Sequence, residues 1–367
     1  MDFKAAVLGK VEAPLEIHDV EMTGLKPNDV LVRNHASGLC HTDFEVIHGS
    51  LRFPLPIVLG HEASGVVEAV GDAVTLAKPG DHVVCSWNPN CGHCFYCDQD
   101  LPILCEPFSR HVPAGFLMDG TSRLRIGGET LYHFSMVCSH AEYCVVDESS
   151  AIPVPSEIPF DRACLIGCGV MTGVGAVLRV ARVRPGTSVV VIGCGAVGLN
   201  AIQGAKLAGA EPIVAVDIHQ EKLLMATAFG ATHTALAGRD DVPSVVQGLT
   251  RGRGADHVIE AAGIDNTFQL SLDVSRPGAN VILLGKTDVT REVHIRWGSM
   301  MAERRIVRSS YGGARPRRDF PLLARLYLDG RLMLDELITR RISLHEINNG
   351  FSDMAKGSLV RAVVQMN

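Results

Sequence analysis

The sequence lacks the marks of a fibrous, disordered or membrane-spanning chain. Its 367 residues contain no internal repeat, no low-complexity segment and no stretch of about 18 uncharged apolar residues, the length that a transmembrane helix needs. Hydrophobic residues make up 47% and charged residues 20%, as in ordinary globular proteins. The first residues, MDFKAAVLGK, include an acid and no signal-peptide core. We therefore expect a soluble, cytoplasmic protein with no membrane partner.

An excess of positive charge is also missing. The net charge is −6 at pH 7 and the charges are scattered, whereas nucleic-acid binding needs clustered cations that neutralise phosphates. The basic stretch 315–318 is too short to change this, and we expect it to be a solvated loop. The charge distribution therefore predicts no nucleic-acid partner. At roughly 150 residues per domain, the length favours two domains.

The residues up to about position 165 predict a mostly-β region. Short runs of β-forming residues are broken there by glycine, proline and asparagine, and no helical pattern dominates. These runs are Asp29–His35, Glu62–Val70, His82–Cys85 and Ala141–Val146.

From Thr187 onward, short apolar runs such as SVVVIG, PIVAVD and ANVILLG alternate with helical patterns. This alternation is typical of a doubly wound α/β domain, in which a parallel sheet is covered on both faces. Beyond about residue 310, two helical stretches and a final strand, RAVVQM, interrupt the alternation. We assign residues 1–169 and 311–367 to one discontinuous domain, with residues 170–310 inserted as the α/β domain.

A dinucleotide-binding motif opens the α/β region. Gly193, Gly195 and Gly198 form G-x-G-x-x-G between an apolar strand and a helix, where they permit a tight turn, close approach of a pyrophosphate and close helix packing. Asp217 ends the next apolar run, where its carboxylate can accept both ribose hydroxyls and would repel a 2′-phosphate. The alternative is a glycine-rich turn of an ordinary α/β protein. The order of these features predicts NAD binding in preference to NADP.

Eleven cysteines are present, and four of them are closely spaced. In a cytoplasmic chain, unevenly spaced cysteines more often bind metal or catalyse than form disulfides. Cys91, Cys94, Cys97 and Cys105 follow C-x2-C-x2-C-x7-C in a segment of turn-forming residues. Four thiolates close the coordination sphere of zinc, which predicts a structural site. An iron–sulfur cluster remains the chemical alternative.

Three further candidate ligands are dispersed along the chain. Cys40 lies in GLCHTD, His61 in LGHEASG and Cys168 in LIGCGVMTG. A Cys2His site leaves one zinc position open, as a catalytic zinc requires, and Asp43 could hold the far imidazole nitrogen of His61. Each residue alone is more often a buried cysteine or a hydrogen-bonded core histidine, and only their local sequence context favours the metal site.

In order along nearly the whole chain, these segments resemble the zinc-containing alcohol dehydrogenases of the medium-chain dehydrogenase/reductase superfamily, class I and class III in particular. The matching segments are GLCHTD, GHEASGVVEAVG, the four-cysteine segment, MDGTSR, LIGCGVMTGVGA, the glycine motif and GSLVRAVV. The resemblance implies a GroES-like, mostly-β catalytic domain carrying a structural zinc lobe at residues 88–112. It also implies a Rossmann domain, an active site in the cleft between the domains, and a homodimer or homotetramer formed through the Rossmann domain.

The resemblance also implies roles for individual residues. Cys40, His61 and Cys168 would hold the catalytic zinc, with Glu62 behind it as an occasional ligand, and Thr42 would pass the substrate proton outward. The remaining implied contacts are to the cofactor: His41 and Arg361 at the pyrophosphate, Thr172 and Val197 at the nicotinamide, and Lys222 at the adenosine ribose.

Some positions depart from the family pattern. Glu45 stands where many relatives have the histidine that ends the proton relay, so it is either a base or a solvated carboxylate. Trp87 and Phe134 align with pocket walls and suggest aromatic or medium-chain substrates. Lys286 stands where relatives have an apolar residue, and either meets an anionic substrate or lies in an exposed loop. The five remaining cysteines are expected to pack as small hydrophobic residues.

The sequence thus predicts an enzyme with two zinc ions and NAD, acting on a small-molecule alcohol or aldehyde. It would oxidise primary alcohols reversibly by hydride transfer from a zinc-bound alkoxide to nicotinamide. Two alternatives remain. One is a formaldehyde dehydrogenase that depends on a thiol other than glutathione, and the other is a non-catalytic NAD-binding redox sensor.

Overall fold

The computed structural model describes residues 1–288, 290–357 and 359–366 and divides into two compact units. The first unit comprises Met1–Cys168 and Arg315–Asn367, and the second comprises Gly169–Ala314.

The strands, in chain order, are β1 (Asp2–Leu8), β2 (Glu16–Met22), β3 (Asp29–Gly38), β4 (Ile57–Val58), β5 (Glu62–Val70), β6 (His82–Cys85), β7 (Leu124–Ile126), β8 (Glu129–His133), β9 (Tyr143–Asp147), β10 (Ala151–Pro153), β11 (Val189–Ile192), β12 (Ile213–Asp217), β13 (His233–Leu236), β14 (Ala255–Glu260), β15 (Ser275–Leu283), β16 (Arg305–Arg308), β17 (Ile338–Ser343) and β18 (Arg361–Gln365). The α-helices are α1 (His41–Ile47), α2 (Phe95–Asp98), α3 (Glu106–His111), α4 (Phe160–Leu165), α5 (Met171–Gly175), α6 (Ala196–Leu207), α7 (Gln220–Phe229), α8 (Val242–Leu249), α9 (Asp265–Asp273), α10 (Pro316–Leu328) and α11 (Ile347–Ala355). Segments Ile166–Val170 and Ala176–Ala181 are π-helical.

The first unit is built mainly from two β-sheets. Strands β1, β2, β7, β8 and β4 close into a barrel, and a seven-stranded sheet has the order β10-β6-β5-β3-β18-β17, with β9 also paired to β3. Strand β18 pairs antiparallel with β3, so the last strand of the chain completes a sheet begun near residue 29. The mostly-β character predicted for this part of the chain is confirmed.

The second unit contains one parallel sheet of six strands in the order β13-β12-β11-β14-β15-β16. Counted within the unit, this is the 3-2-1-4-5-6 order of a doubly wound dinucleotide-binding fold. Every residue of β11 and β12 is buried, because helices cover both faces of such a sheet and leave no position for an exposed side chain. The predicted α/β fold is confirmed.

The helical run Phe160–Ala181 is long and apolar enough to cross a membrane by length and composition alone. However, 72% of its most apolar window is buried inside the structure, as expected for a core helix. Its small residues permit close packing: a Cβ added at Gly173 would lie 2.4 Å from the carbonyl oxygen of Val197, and one at Gly175 would lie 2.4 Å from that of Gly312.

The basic stretch 315–318 is not a loop, and the expectation from the sequence was wrong. Pro316 opens α10, where a proline is favoured because its fixed φ suits the first helical turn and its missing N–H is not needed there. Arg317 and Arg318 are exposed on that turn, and Arg315 Nη2 lies 2.8 Å from Asp100 Oδ1.

An ion network centred on the buried Arg123–Asp29 pair accounts for the MDGTSR segment. Arg123 is 2% exposed, and its guanidinium donates to both carboxylate oxygens of Asp29 and to Asp119. Lys26 Nζ also donates to Asp119, at 2.6 Å. Burial raises the pKa of Asp119, but the hydrogen bonds from Lys26 and Arg123 outweigh this and hold it well below its usual range. The network ties the loop before β3 to the segment before β7.

Replacing Arg123 should therefore destabilise the first unit strongly. We expect Arg123→Met to lower the free energy of unfolding by about 3–5 kcal/mol, because Asp29 would remain buried without its counter-charge. The matched control is Arg33→Met, which removes the exposed Arg33–Glu68 pair and should cost less than about 1 kcal/mol. Urea unfolding of both variants measures the difference, and equal losses would contradict the assignment of a buried network.

Candidate metal centres and dinucleotide-binding loop

The four closely spaced cysteines converge on one point. The Sγ atoms of Cys91, Cys94, Cys97 and Cys105 all lie within 4.8 Å of one another. Cys94 precedes α2, Cys97 lies within it and Cys105 precedes α3, so these short helices set the spacing of the thiols. The backbone N–H of Glu106 donates to Cys94 Sγ and lowers the pKa of that thiol to about 6. A thiol that ionises readily is suited to binding a metal.

A second cluster forms from residues far apart in the sequence. One donor atom each from Cys40, His61, Glu62 and Cys168 lies within 4.8 Å of the others. Cys40 stands between β3 and α1, His61 immediately precedes β5, and Glu62 begins β5, which pairs with β3. Cys168 lies in the π-helical segment Ile166–Val170, a geometry that is frequent at functional sites.

Asp43 sits behind His61, as the sequence led us to expect. Its Oδ1 lies 3.2 Å from His61 Nδ1 and accepts a hydrogen bond from Gly60 N at 3.0 Å, and its Oδ2 accepts from Cys40 N at 3.1 Å. With Nδ1 engaged by the carboxylate, Nε2 is the nitrogen of His61 left for a metal. A hydrogen bond from Cys168 lowers the pKa of Cys40 well below its usual range, although burial acts in the opposite direction.

Glu62 is a fully buried carboxylate in this cluster. Arg361 Nη2 lies 3.2 Å from its Oε1 as an ion pair, yet neither oxygen accepts a geometrically sound hydrogen bond from the residues that the structure describes. Burial, partly offset by Arg361, raises the pKa of Glu62 to about 7. Gly38 makes room for this side chain, since a Cβ there would lie 2.2 Å from Glu62 Oε2. The cluster therefore offers two thiol sulfurs, one imidazole nitrogen and a carboxylate whose oxygens accept no hydrogen bond from the described residues. These are the donor types that zinc binds in proteins.

Several other predicted site residues surround this cluster. Thr42 Oγ1 lies 3.8 Å from Cys40 Sγ, and Glu45 is half-buried three residues further along α1. The ring of Phe134 is fully buried and meets His61 edge-on, with 5.5 Å between ring centroids. His41, at the start of α1, is exposed.

Trp87 and Arg361 have contacts that the sequence did not predict. Trp87 packs with Phe108 in the apolar cluster that also includes the four closely spaced cysteines. Arg361 is 6% exposed and donates to the carbonyl oxygen of Leu39, in addition to its contact with Glu62. A pocket role for Trp87 and a cofactor contact for Arg361 stay predictions.

The glycine motif forms the turn between β11 and α6. Gly193 has a φ of +92°, which favours glycine, and a Cβ on Gly198 would lie 1.8 Å from the carbonyl oxygen of Gly193. A Cβ on Gly195 would meet nothing within 4 Å, so the turn is open at this residue. Asp217, at the end of β12, accepts hydrogen bonds from Cys194 N and His219 N at 2.8 and 2.9 Å. Its carboxylate therefore holds the turn in place.

The other predicted cofactor residues occupy the same unit. Thr172 is buried in α5, Val197 lies in the first turn of α6, and Lys222 lies half-buried in the first turn of α7.

The sequence did not single out Glu260, which ends β14 and is fully buried. Its Oε1 accepts from Ala262 N, Gly263 N and Thr267 Oγ1 at 2.7–2.8 Å. The sequence signal that could have identified Glu260 is its position as an acid at the end of an apolar strand, like Asp217 at the end of PIVAVD.

The five remaining cysteines are buried, which confirms that they pack as small hydrophobic residues. They are Cys85, Cys138, Cys144, Cys164 and Cys194.

Comparison with known proteins agrees with this arrangement. The profile of the alcohol dehydrogenase GroES-like domain matches residues 26–156, and that of the zinc-binding dehydrogenases matches residues 196–329. An NDMA-dependent alcohol dehydrogenase of Amycolatopsis methanolica is 38% identical over 99% of both chains. An S-(hydroxymethyl)glutathione dehydrogenase of Paracoccus denitrificans is 36% identical over 99% of this chain and 100% of its own. The crystal structure of benzyl alcohol dehydrogenase from Acinetobacter calcoaceticus superimposes with a TM-score of 0.94 at 30% identity, covering both chains completely.

The GroES-like sheets, the parallel sheet and the two donor clusters define a two-domain oxidoreductase of the medium-chain dehydrogenase/reductase type. Within that class, the chain belongs to the zinc-binding alcohol dehydrogenase family.

Proposed function

We propose that this chain oxidises primary alcohols to aldehydes reversibly, with NAD as the cofactor and one zinc ion in each donor cluster. The observation that carries the proposal is the buried Cys40–His61–Glu62–Cys168 cluster, with a threonine hydroxyl 3.8 Å from one of its sulfurs. A non-catalytic redox sensor would have no use for a buried cluster of this kind. The aromatic ring of Phe134 against His61, and the likeness to a benzyl alcohol dehydrogenase, favour aromatic or medium-chain substrates.

Residues in and beside the cluster have separate parts in the proposed reaction. Zinc held by Cys40, His61 and Cys168 supplies a Lewis acid that lowers the pKa of an alcohol, and NAD supplies the hydride acceptor. Thr42 accepts the alcohol proton and donates its own outward, because a hydroxyl does both. Glu45, on the same face of α1, is the proposed base at the end of this relay. Phe134 excludes water from the side of His61.

Two further features of the proposal concern assembly and location. Strand β16 is one edge of the parallel sheet; Val307 within it is 41% exposed, and Trp297 and Met301 shortly before it are 77% and 70% exposed. An exposed sheet edge beside large apolar side chains is a surface that a second chain can cover. We propose a homodimer or homotetramer formed through this unit, in the cytoplasm.

Activity and metal content test the proposal together. The purified protein should contain two zinc ions per chain and should form NADH from benzyl and medium-chain primary alcohols. Cys168→Ala should lose one zinc ion and the activity, because the cluster loses a ligand. The matched control is Cys164→Ala, a buried cysteine outside both clusters, which should keep two zinc ions and its activity.

The same assay separates the alternatives. It should be repeated with formaldehyde in the presence of glutathione or another thiol, and with NDMA added, because the relatives include an S-(hydroxymethyl)glutathione dehydrogenase and an NDMA-dependent alcohol dehydrogenase. If NADH forms only from formaldehyde, and only when a thiol other than glutathione is present, the activity is thiol-dependent formaldehyde oxidation and not alcohol oxidation. No turnover on any substrate or acceptor, in a protein with two zinc ions, would indicate a redox sensor.

The relay through Thr42 can be tested separately. Thr42→Val should lower the rate of hydride transfer by about 10²-fold, because general acid–base transfer of this kind contributes about 10²–10⁴-fold. Thr42→Ser keeps the hydroxyl and should retain most of the rate. Pre-steady-state formation of NADH measures both, and a valine variant with the rate and pH profile of the wild type would remove Thr42 from the mechanism.

Selectivity for NAD should depend on Asp217. We expect Asp217→Asn to narrow the preference for NAD over NADP by at least about tenfold, or about 1.4 kcal/mol, because the charge that repels a 2′-phosphate is lost. Glu211→Gln removes an exposed acid just before the opposite end of β12 and should leave the preference unchanged. The ratio of kcat/KM for the two cofactors measures the effect, and equal ratios in both variants would contradict it.

A further inference from the structure

A row of buried polar side chains continues from Asp43 into the interior of the first unit. His140 is fully buried, and its Nε2 lies 4.0 Å from Asp43 Oδ1. On the other side of the ring, His140 Nδ1 lies 2.9 Å from Ser37 Oγ, which in turn lies 2.6 Å from Ser139 Oγ. All four side chains are 0% exposed. The site predictions made from the sequence did not include His140, because a lone buried histidine carries no motif.

Backbone contacts hold His140 in this position. His140 N donates to the carbonyl oxygen of Leu59, and Ser139 N donates to that of Gly60. A Cβ added to Gly60 would lie 2.6 Å from His140 N and 2.7 Å from His140 Nδ1, so the chain leading to His61 packs directly against this residue. Phe351 meets the imidazole edge-on, with 5.9 Å between ring centroids. The ring therefore has little freedom to turn away from Asp43.

The neighbours of the ring determine which nitrogen carries its proton. Burial lowers the pKa of His140 to about 4, so the ring is neutral at pH 7 and has one N–H. Nε2 has no hydrogen-bond partner among the described residues, and the nearby carboxylate of Asp43 can only accept. A proton on Nε2 therefore faces a negative charge, while Nδ1 accepts from Ser37 and Ser37 accepts from Ser139. At 4.0 Å the contact with Asp43 is electrostatic and too long for a hydrogen bond.

We propose that His140 is a positioning residue for the buried metal centre, in which its Nε2–H holds the Asp43 carboxylate in the orientation that fixes His61. This inference rests on the proposed function in one respect, namely that Cys40, His61 and Cys168 hold a metal ion. Asp43 already receives three nitrogens at hydrogen-bond distance, from Gly60, His61 and Cys40. His140 Nε2 adds a fourth nitrogen at 4.0 Å from Oδ1, beyond hydrogen-bond distance and therefore as an electrostatic contact. Groups that orient a metal-binding histidine affect metal affinity as well as geometry.

Three substitutions of His140 separate its two nitrogens. His140→Gln places an amide N–H near the position of Nε2, whereas His140→Asn reaches only the position of Nδ1, and His140→Phe keeps a ring but has neither group. The first readout is the rate at which a chelator removes zinc from the Cys40 cluster, with the four-cysteine cluster as an internal reference. We expect release to be about 10-fold to 100-fold faster in the Phe and Asn variants. The Gln variant should release zinc at close to the wild-type rate.

A spectroscopic readout distinguishes positioning from packing. With Co²⁺ in the Cys40 cluster, the visible absorption bands should shift in the Phe and Asn variants and should match the wild type in the Gln variant. The matched control is Phe351→Leu, which disturbs packing around the ring but keeps Nε2–H. It should lower the melting temperature and leave zinc release and the Co²⁺ spectrum unchanged.

The outcomes also separate this inference from the proposed function. A wild-type chain that holds zinc only in the four-cysteine cluster would refute the proposed function. Two zinc ions in the wild type, with wild-type release and spectra in both the Asn and Phe variants, would overturn the role of His140 alone. If the Phe variant does not fold, the comparison of zinc release and Co²⁺ spectra between the Asn and Gln variants tests the role of His140. Equal values in these two variants would overturn that role.

Discussion

The convergence of four ionisable side chains on one buried point is the constraint on which the first unit depends. The donor atoms of Cys40, His61, Glu62 and Cys168 lie within 4.8 Å of one another. Burying such groups costs free energy unless hydrogen bonds, counter-charges or a metal ion compensate. The surrounding structure supplies part of this compensation through Asp43, and the ion pair from Arg361 supplies another part.

This constraint also explains why the unit is discontinuous in sequence. Cys40 and Glu62 stand at the ends of β3 and β5, which pair with each other. Arg361 begins β18, which pairs with β3 from its other side. The last strand of the chain therefore delivers the counter-charge to a carboxylate that lies about 300 residues earlier. A first unit without its carboxy-terminal segment would leave Glu62 buried beside two sulfurs with no cation.

Local patterns made much of the fold predictable. The runs at Asp29, Glu62 and His82 begin strands at those same residues, because alternating or continuous apolar residues reflect which faces are covered. The order of apolar runs and helices was enough to predict the parallel sheet. The basic stretch 315–318 is not the expected loop, because Pro316 favours the first turn of a helix and α10 begins there.

Sequence spacing alone predicted a metal site only where the ligands are close together in the chain. Four cysteines within 15 residues indicate a metal by themselves. Cys40, His61 and Cys168 are dispersed candidates for a Cys2His site, and their assignment as catalytic zinc ligands came from the resemblance to a family. Neither local spacing nor the family resemblance identified His140. Its partners Ser37 and Asp43 are about 100 residues away, and only the pairing of distant strands brings them together. A buried histidine read from sequence alone is indistinguishable from one that merely fills the core.

Asp217 has a structural role in the glycine turn in addition to its proposed role in cofactor selectivity. One oxygen accepts from Cys194 N within the glycine turn and the other from His219 N just after β12, so the carboxylate ties the turn to the end of β12. Each oxygen keeps a further lone pair for a ribose hydroxyl. Under the proposed selectivity for NAD, a carboxylate held by these bonds would not turn away from a 2′-phosphate, and the bonds that hold the turn would also maintain the repulsion that disfavours NADP.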